Sequence, residues 1–152
     1  MKIAIACDHA AIAEKDELVT HLRSRGHSVE DLGVQAGESA DYPDQAEAVA
    51  RQVAAGHADR GVLVCGTGIG MAMAACKVPG IRAATIGDAF SAEMTRRHND
   101  ANVACFGARV LPSAAIIRFA DIFMESPFDG GRHERRVIKI DALDTASASS
   151  PS

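Results

Sequence analysis

Five short apolar runs, each followed by a stretch of helical character, limit the folds open to this chain more than any other feature of its sequence. Residues 2–7 (KIAIAC) form a β-type run, and 11–25 follow with Ile12, Leu18, Val19 and Leu22 at helical spacing before Gly26 closes the segment. Residues 27–32 (HSVEDL) alternate as a second strand, a polar loop occupies 33–41, and 44–55 read as an alanine-rich helix. An apolar run at Val62, Leu63 and Val64 leads into a helix over 69–76, and 80–86 (GIRAATI) predict a fourth strand before Asp88 caps a helix to about His98. Residues 102–106 (NVACF) make the fifth strand, 113–124 an apolar helix, and Gly130-Gly131 opens a charged helix through about Leu143. Alternation of this kind, with no repeat and no linker, specifies the α/β class: a three-layer α/β/α sandwich on a five-stranded parallel sheet, Rossmann-like in its winding. A single domain over residues 1–145 is expected, with 146–152 unable to bury anything and so expected to be disordered.

A doubly wound sheet binds ligands at the carboxyl ends of its strands, where the winding reverses. If the first strand lies between the second and third, that point receives Cys7, Asp8 and His9 from one strand and Cys65, Gly66 and Thr67 from another. The second triplet opens the richest stretch of the chain, 61–76 (GVLVCGTGIGMAMAAC). A buried strand there ends in a thiol, Gly66, Gly68 and Gly70 strip side chains from the turn, and a helix begins at Ile69. Bare N–H groups and a helix N-terminus then converge beside Cys65, which suits a reaction that develops negative charge. The spacing is GxGxG after a later strand, so it is not a dinucleotide fingerprint, and it lacks the lysine of a phosphate-binding P-loop. A Cys-based phosphatase loop would want an arginine where Met71 stands. These residues alone equally fit a tight turn with Cys65 as a small core side chain.

At 152 residues and 47% apolar content the chain has the size of one domain with a full core. Its net charge of -4 and scattered Lys and Arg give no basic face for nucleic acid. No apolar run is long enough to span a membrane, and Asp8 and His9 arrive too early for a signal peptide, so a cytoplasmic location is expected. The four cysteines, Cys7, Cys65, Cys76 and Cys105, show no CxxC spacing, which argues against a disulfide framework or a zinc site.

CDHA (7–10), DYP (41–43), CGTGIG (65–70), GIRA (80–83), RRHNDANV (96–103), FGAR (106–109) and GGRHERR (130–136) together resemble the ribose-5-phosphate isomerase B and galactose-6-phosphate isomerase group of sugar-phosphate isomerases. The resemblance covers nearly all of the chain expected to fold. It implies a metal-independent, cofactor-free aldose–ketose isomerase acting through an enediolate, a place in the pentose phosphate pathway, and homodimers or homotetramers with active sites between subunits. Ribose 5-phosphate and ribulose 5-phosphate are its first-choice pair. By resemblance Cys65 is the proton-transfer base. A free thiol with a pKa of about 8.5 is a poor base, but N–H donors and a helix N-terminus would favour thiolate. Some relatives carry a glutamate at the position of Met71, which cannot take a proton. The resemblance further gives Thr67 a positioning or proton-shuttling role, the N–H groups across Gly66, Gly68, Ile69 and Gly70 an oxyanion hole, His98 ring opening, Asp8 hydrogen bonds to the ring oxygens, and Asn99 the orientation of the substrate. Losing one oxyanion donor would cost on the order of 3 kcal/mol.

Arg132 and Arg136 stand four apart on a predicted helix and can share a face. In the family they clamp the phosphate with His9 and with Arg109 reaching over from the neighbouring subunit, while Tyr42 and His133 line the same pocket. Read without the resemblance, the arginines fit a solvated helix face, His98 a helix C-terminal residue, and Asp8 a helix cap. Cys76 stands where the family commonly has asparagine, and it is not read as a second catalytic thiol. The same chemistry on tetrose, erythrulose, allose or galactose phosphates is an alternative, with substrate size tuned by 33–41 and by 85–88. From another class, a noncatalytic phosphosugar sensor would need Arg132 and Arg136 but could dispense with Cys65. A flavodoxin-like carrier is disfavoured by 4% aromatic content and no tryptophan.

Overall fold

The apolar run at the amino terminus becomes β1 (Lys2–Cys7), and its alternation divides the core in two. Ile3, Ile5 and Cys7 point into one apolar layer, Ala4 and Ala6 into the other. In β3 (Arg60–Cys65), Val62 and Val64 join the first layer and Leu63 and Cys65 the second, and β5 (Val103–Gly107) repeats the split with Ala104 and Phe106 against Val103 and Cys105. Strands buried on both faces need helices on both faces. α1 (Ile12–Ser24), α4 (Ala89–Arg97) and α5 (Ser113–Glu125) cover the first layer, α2 (Tyr42–Ala54) and α3 (Ile69–Ala75) the second. Close approach on the second face depends on small residues. A Cβ at Gly61 would stand 2.6 Å from Val49 Cγ1 of α2.

With β2 (Ser28–Asp31) and β4 (Ala83–Thr85), the five strands are all parallel and lie in the order β2-β1-β3-β5-β4. This computed structural model describes residues 1–148. The winding reverses between β1 and β3, as the sequence expectation required.

Several boundaries differ from those expected. The fourth strand shrinks from 80–86 to Ala83–Thr85 because it lies at an edge with β5 as its one partner. Gly80 turns at φ +86° and Arg82 N–H bonds Asn102 Oδ1, so the preceding residues leave the ladder. The second helix starts at Tyr42 rather than Asp44, with Pro43 in its first turn, where a missing N–H costs nothing. The last helix, α6 (Arg132–Ala148), continues beyond Leu143 and into the stretch expected to be disordered. Ala142, Ala146 and Ala148 favour the helical state there, and Thr145 Oγ1 donates to Ala142 O at 2.9 Å within it. The rest of that tail, 149–152, lies outside the described residues.

Candidate active site

Cys65 ends β3 opposite Gly107 of β5, and Asp8 leaves β1 with its N–H bonded to Val64 O at 3.3 Å. The two triplets expected at the reversal point therefore meet at the carboxyl edge of the sheet. The chain after Cys65 turns at Gly68, whose φ of +77° is open chiefly to glycine, and the Gly68 N–H donates to Cys65 Sγ at 3.1 Å. A donor held there interacts more strongly as the sulfur gains negative charge. The turn also lies flat on β5: a Cβ on Gly68 would stand 2.9 Å from the Phe106 carbonyl carbon, and one on Gly107 2.7 Å from Thr67. From the edge strand, Thr85 Oγ1 donates to Gly68 O at 3.0 Å and props the turn from the other side. Sequence reasoning assigned Thr85 only to substrate size.

The cradle is narrower than expected. Gly68 and Ile69, counted among the substrate donors, spend their N–H groups within the turn, on Cys65 Sγ and on Thr67 Oγ1 at 3.2 Å. Among the described residues no hydrogen bond uses the N–H of Gly66, Thr67 or Gly70, and these remain for an oxyanion. Thr67 is exposed, and as an acceptor from Ile69 it keeps its own proton to donate. Asp8 Oδ1 accepts from Ala10 N at 2.9 Å, so one carboxylate oxygen holds the turn into α1. The other faces no described donor. The Tyr42 ring lies over Gly70, within 2.7 Å of where a Cβ would be, and brings its hydroxyl to the same end of the sheet. His9 is exposed in the turn after β1.

Arg109 packs its guanidinium along Gly66 of its own chain, with Nη1 3.5 Å from the position of a Gly66 Cβ, so it stands with the Cys65 group and apart from Arg132 and Arg136. The cause is local: the Arg109 N–H donates to Gly66 O at 3.0 Å, because β5 runs beside β3.

The remaining expected residues form a second group at the opposite edge. α4 starts at the carboxyl end of β4 and runs back, so His98 at its C-terminus lies by the start of β5, where Gly61 N–H bonds Asn102 O. The four intervals of β5 from Val103 to Gly107 put this level about 13 Å from Cys65 along the strand. His98 stacks on His133 of α6 with centroids 4.2 Å apart and planes at 10°. Arg132 and Arg136 are exposed on the same first turns of α6. Burial, then the positive fields of His98, Arg132 and Arg136, holds the His133 imidazole below its ordinary pKa of 6.5. Asn99, exposed beside His98, lines a cavity against β4 and α6. One chain therefore brings Cys65, Thr67, Asp8, His9, Tyr42, Gly66, Gly70 and Arg109 together, and separately His98, Asn99, Arg132, His133 and Arg136.

Asp129, which the sequence reading passed over, completes the second group. It accepts from Arg97 Nε at 3.0 Å, and its carboxylate lies with the His98 and His133 nitrogens inside a 4.8 Å cluster. Nearly parallel rings cannot both aim in-plane lone pairs at one ion, so this arrangement is a stack rather than a metal cage. The signal was faint: one acidic residue beside a glycine pair, 31 positions from His98.

Of the other thiols, burial pushes Cys7 up to about 11 and also holds Cys105 well above the ordinary thiol value, which leaves both protonated and unreactive.

The sequence profile described as Ribose/Galactose Isomerase matches residues 3–140. The chain is 43% identical to ribose-5-phosphate isomerase B of Escherichia coli K12, covering 94% of this chain and 96% of that one. It is 38% identical to the galactose-6-phosphate isomerase subunit LacB of Clostridium acetobutylicum, over 94% and 83% of the two. Among solved structures, ribose-5-phosphate isomerase B of Clostridium thermocellum superposes with a TM-score of 0.94 at 43% identity, over 97% of this chain and 99% of that one. The Mycoplasma genitalium ribose-5-phosphate isomerase B with bound ribulose 5-phosphate gives 0.90 at 38%, over 95% and 96%.

Proposed function

The chain belongs to the ribose/galactose isomerase family, and from that premise we propose that it interconverts ribose 5-phosphate and ribulose 5-phosphate. The observation that carries the reading is the Gly68 N–H held on Cys65 Sγ within a glycine turn at the sheet's reversal point. Moving a proton between C1 and C2 of an opened sugar requires a base beside an oxyanion site. The thiolate of Cys65 takes the proton from one carbon and returns it to the other. The free N–H groups of Gly66, Thr67 and Gly70 hold the enediolate oxygen, and Thr67 passes a proton between the two oxygens. Asp8 and His98 open the ring. Arg132 and Arg136 grip the phosphate with His9 and Arg109, and Asn99, Tyr42 and His133 align the sugar.

Those roles need both edge groups around one substrate, and the length of β5 keeps them apart within a chain. The proposed assembly is therefore at least a homodimer, in which the α6 arginines and His98 of one chain close over the Cys65 cradle of another. A cytoplasmic location goes with the reading: all four cysteines are free, Cys76 on the surface, as suits a reducing compartment.

A coupled turnover assay across four-, five- and six-carbon phosphosugars tests the proposal. Turnover should favour the five-carbon pair, and Cys65→Ala should lose about 10³-fold in kcat with ligand affinity retained. Phosphosugar binding without turnover by the unmodified chain, or an unchanged kcat in Cys65→Ala, would overturn it.

A further inference from the structure

We propose that Thr85, at the end of edge strand β4, is a positioning residue of the isomerase centre, acting through the peptide between Gly68 and Ile69 on the hydroxyl of Thr67. Only the kinetic part of this inference rests on the isomerase reading. Thr85 Oγ1 meets Gly68 O at 3.0 Å, and on the other side of the same peptide the Ile69 N–H meets Thr67 Oγ1 at 3.2 Å. Chemistry fixes the direction of both bonds. A carbonyl oxygen only accepts and an amide N–H only donates, so Thr85 spends its proton on Gly68 while Thr67 keeps its own. The chain therefore ends in one uncommitted O–H, on an exposed residue two positions from Cys65.

The fold holds this relay at both ends. Thr85 pairs with Cys105 in the ladder between β4 and β5, and the next N–H, that of Ile86, donates to Cys105 O at 2.9 Å. At the other end Thr67 lies on β5, where a Cβ on Gly107 would stand 2.7 Å from the Thr67 carbonyl carbon. Both hydroxyl-bearing residues are thus fixed against one central strand, with the Gly68–Ile69 peptide between them.

A peptide transmits polarisation. A donor on its oxygen draws electron density from its nitrogen and strengthens the N–H as a donor in turn. When Thr67 gives its hydrogen to a substrate oxygen that is gaining charge, its own oxygen accepts the Ile69 N–H more strongly, and the demand passes on to Thr85. The bonds tighten together as the enediolate forms. An interaction that grows in this way acts on kcat more than on KM.

The same carbonyl makes a clean variant available. The Ala72 N–H also donates to Gly68 O, at 3.3 Å, as the first bond of α3, so the oxygen keeps a partner when the Thr85 hydroxyl is removed. Thr85 is exposed on an edge strand, where valine suits the backbone equally well. Thr85→Val therefore removes the polarising donor and little else.

Thr85→Val and Thr85→Ser carry the test, read by amide resonances and by steady-state kinetics with ribose 5-phosphate. In the substrate-free chain the Ile69 amide proton should move upfield in Thr85→Val and stay near its original position in Thr85→Ser. In Thr85→Val, kcat should fall about fivefold with KM within about twofold, and Thr85→Ser should retain kcat. Within a Thr67→Val chain, Thr85→Val should cost nothing further, because the relay has lost its end. A hydroxyl that merely propped the turn would cost the same in both backgrounds. An unmoved Ile69 resonance overturns the relay. A moved resonance with unchanged kcat, or equal losses with and without the Thr67 hydroxyl, overturns its part in turnover. Failure of the unmodified chain to interconvert the two sugar phosphates refutes the isomerase reading, and the Ile69 resonance then decides the relay by itself.

Discussion

Replacing Gly68 by alanine tests the cradle more sharply than replacing the thiol does. Two costs arise together. A φ of +77° is disfavoured for an L side chain by about 1–2 kcal/mol, and the new Cβ would stand 2.9 Å from the backbone carbonyl carbon of Phe106, which cannot swing aside. Strain of that kind in a packed region adds about 1–3 kcal/mol. A loss near 3 kcal/mol in a chain of this size lowers the melting temperature by about 10 °C. To relieve the contact the turn must lift off β5, which draws the Gly68 N–H away from Cys65 Sγ. Loss of one such donor should reduce kcat on the order of 10²-fold. Gly26→Ala is the control: φ there is +89° but nothing lies within 4 Å of the new Cβ, so about 1 kcal/mol, or about 3 °C, is expected with kcat intact. Thermal melts and steady-state kinetics on both variants decide the matter. Equal melting temperatures with unchanged kcat in Gly68→Ala would refute the packing argument and the donor's role together.

Two further predictions address the second edge group. If each site takes Cys65 from one chain and Arg136 from another, Cys65→Ala and Arg136→Ala, each nearly inactive, should recover about a quarter of wild-type activity when co-refolded in equal amounts, since half of the dimers are mixed and each has one intact site; recovery at background level would place both groups in one chain's site. For His133 the sign is fixed by its lowered pKa. The contribution to stability is full above about 6.5 and is lost as pH falls toward the folded value, because the unfolded chain takes up the proton first. Urea melts from neutral to mildly acidic pH should show a gentler loss of stability in His133→Gln than in the unmodified chain, and identical slopes would remove His133 from that account.

Much of the fold was legible because parallel strands buried on both faces leave short apolar runs, and the helices between them keep their period. The placement of β1 between β2 and β3 entered as a condition under which two polar triplets converge, and the observed strand order meets it. The order of β4 and β5 was not legible, since nothing in GIRAATI or NVACF encodes which of them takes the edge. Strand length gave it away only in the structure, where β4 is cut to three residues. The cradle was read correctly as strand, thiol and bare turn, yet the internal use of two of its N–H groups required coordinates. Lys15, three and seven positions before Leu18 and Leu22, falls on their helix face, where a lysine is rarely found. The structure buries it at 1% exposure and bonds it to Asp31 at 2.7 Å. Contacts between residues far apart in sequence, such as the His98–His133 stack, lie beyond any local pattern.

The surface around the cradle bears on the proposed second chain. Ile69 and Met73 on α3, Phe90 at the start of α4 and Val110 after β5 are exposed by 50%, 66%, 72% and 64%. Three of them, Ile69, Phe90 and Val110, come at or just after the points where the chain leaves the carboxyl ends of β3, β4 and β5, so they surround the open side of the Cys65 cradle. Isolated apolar residues are ordinary on a surface, but a cluster around a site is not. Covering them would contribute about 1.5–3 kcal/mol for each large side chain fully buried, before the cost of association. A partner that covers this edge also excludes water from Cys65, which strengthens the hold of the remaining N–H donors on an enediolate. If that partner is a second copy presenting its own α6, one contact supplies the apolar cover, the phosphate clamp and the ring-opening histidine. Assembly and catalytic competence would then appear at the same protein concentration, and an active dilute monomer is the outcome this reasoning forbids.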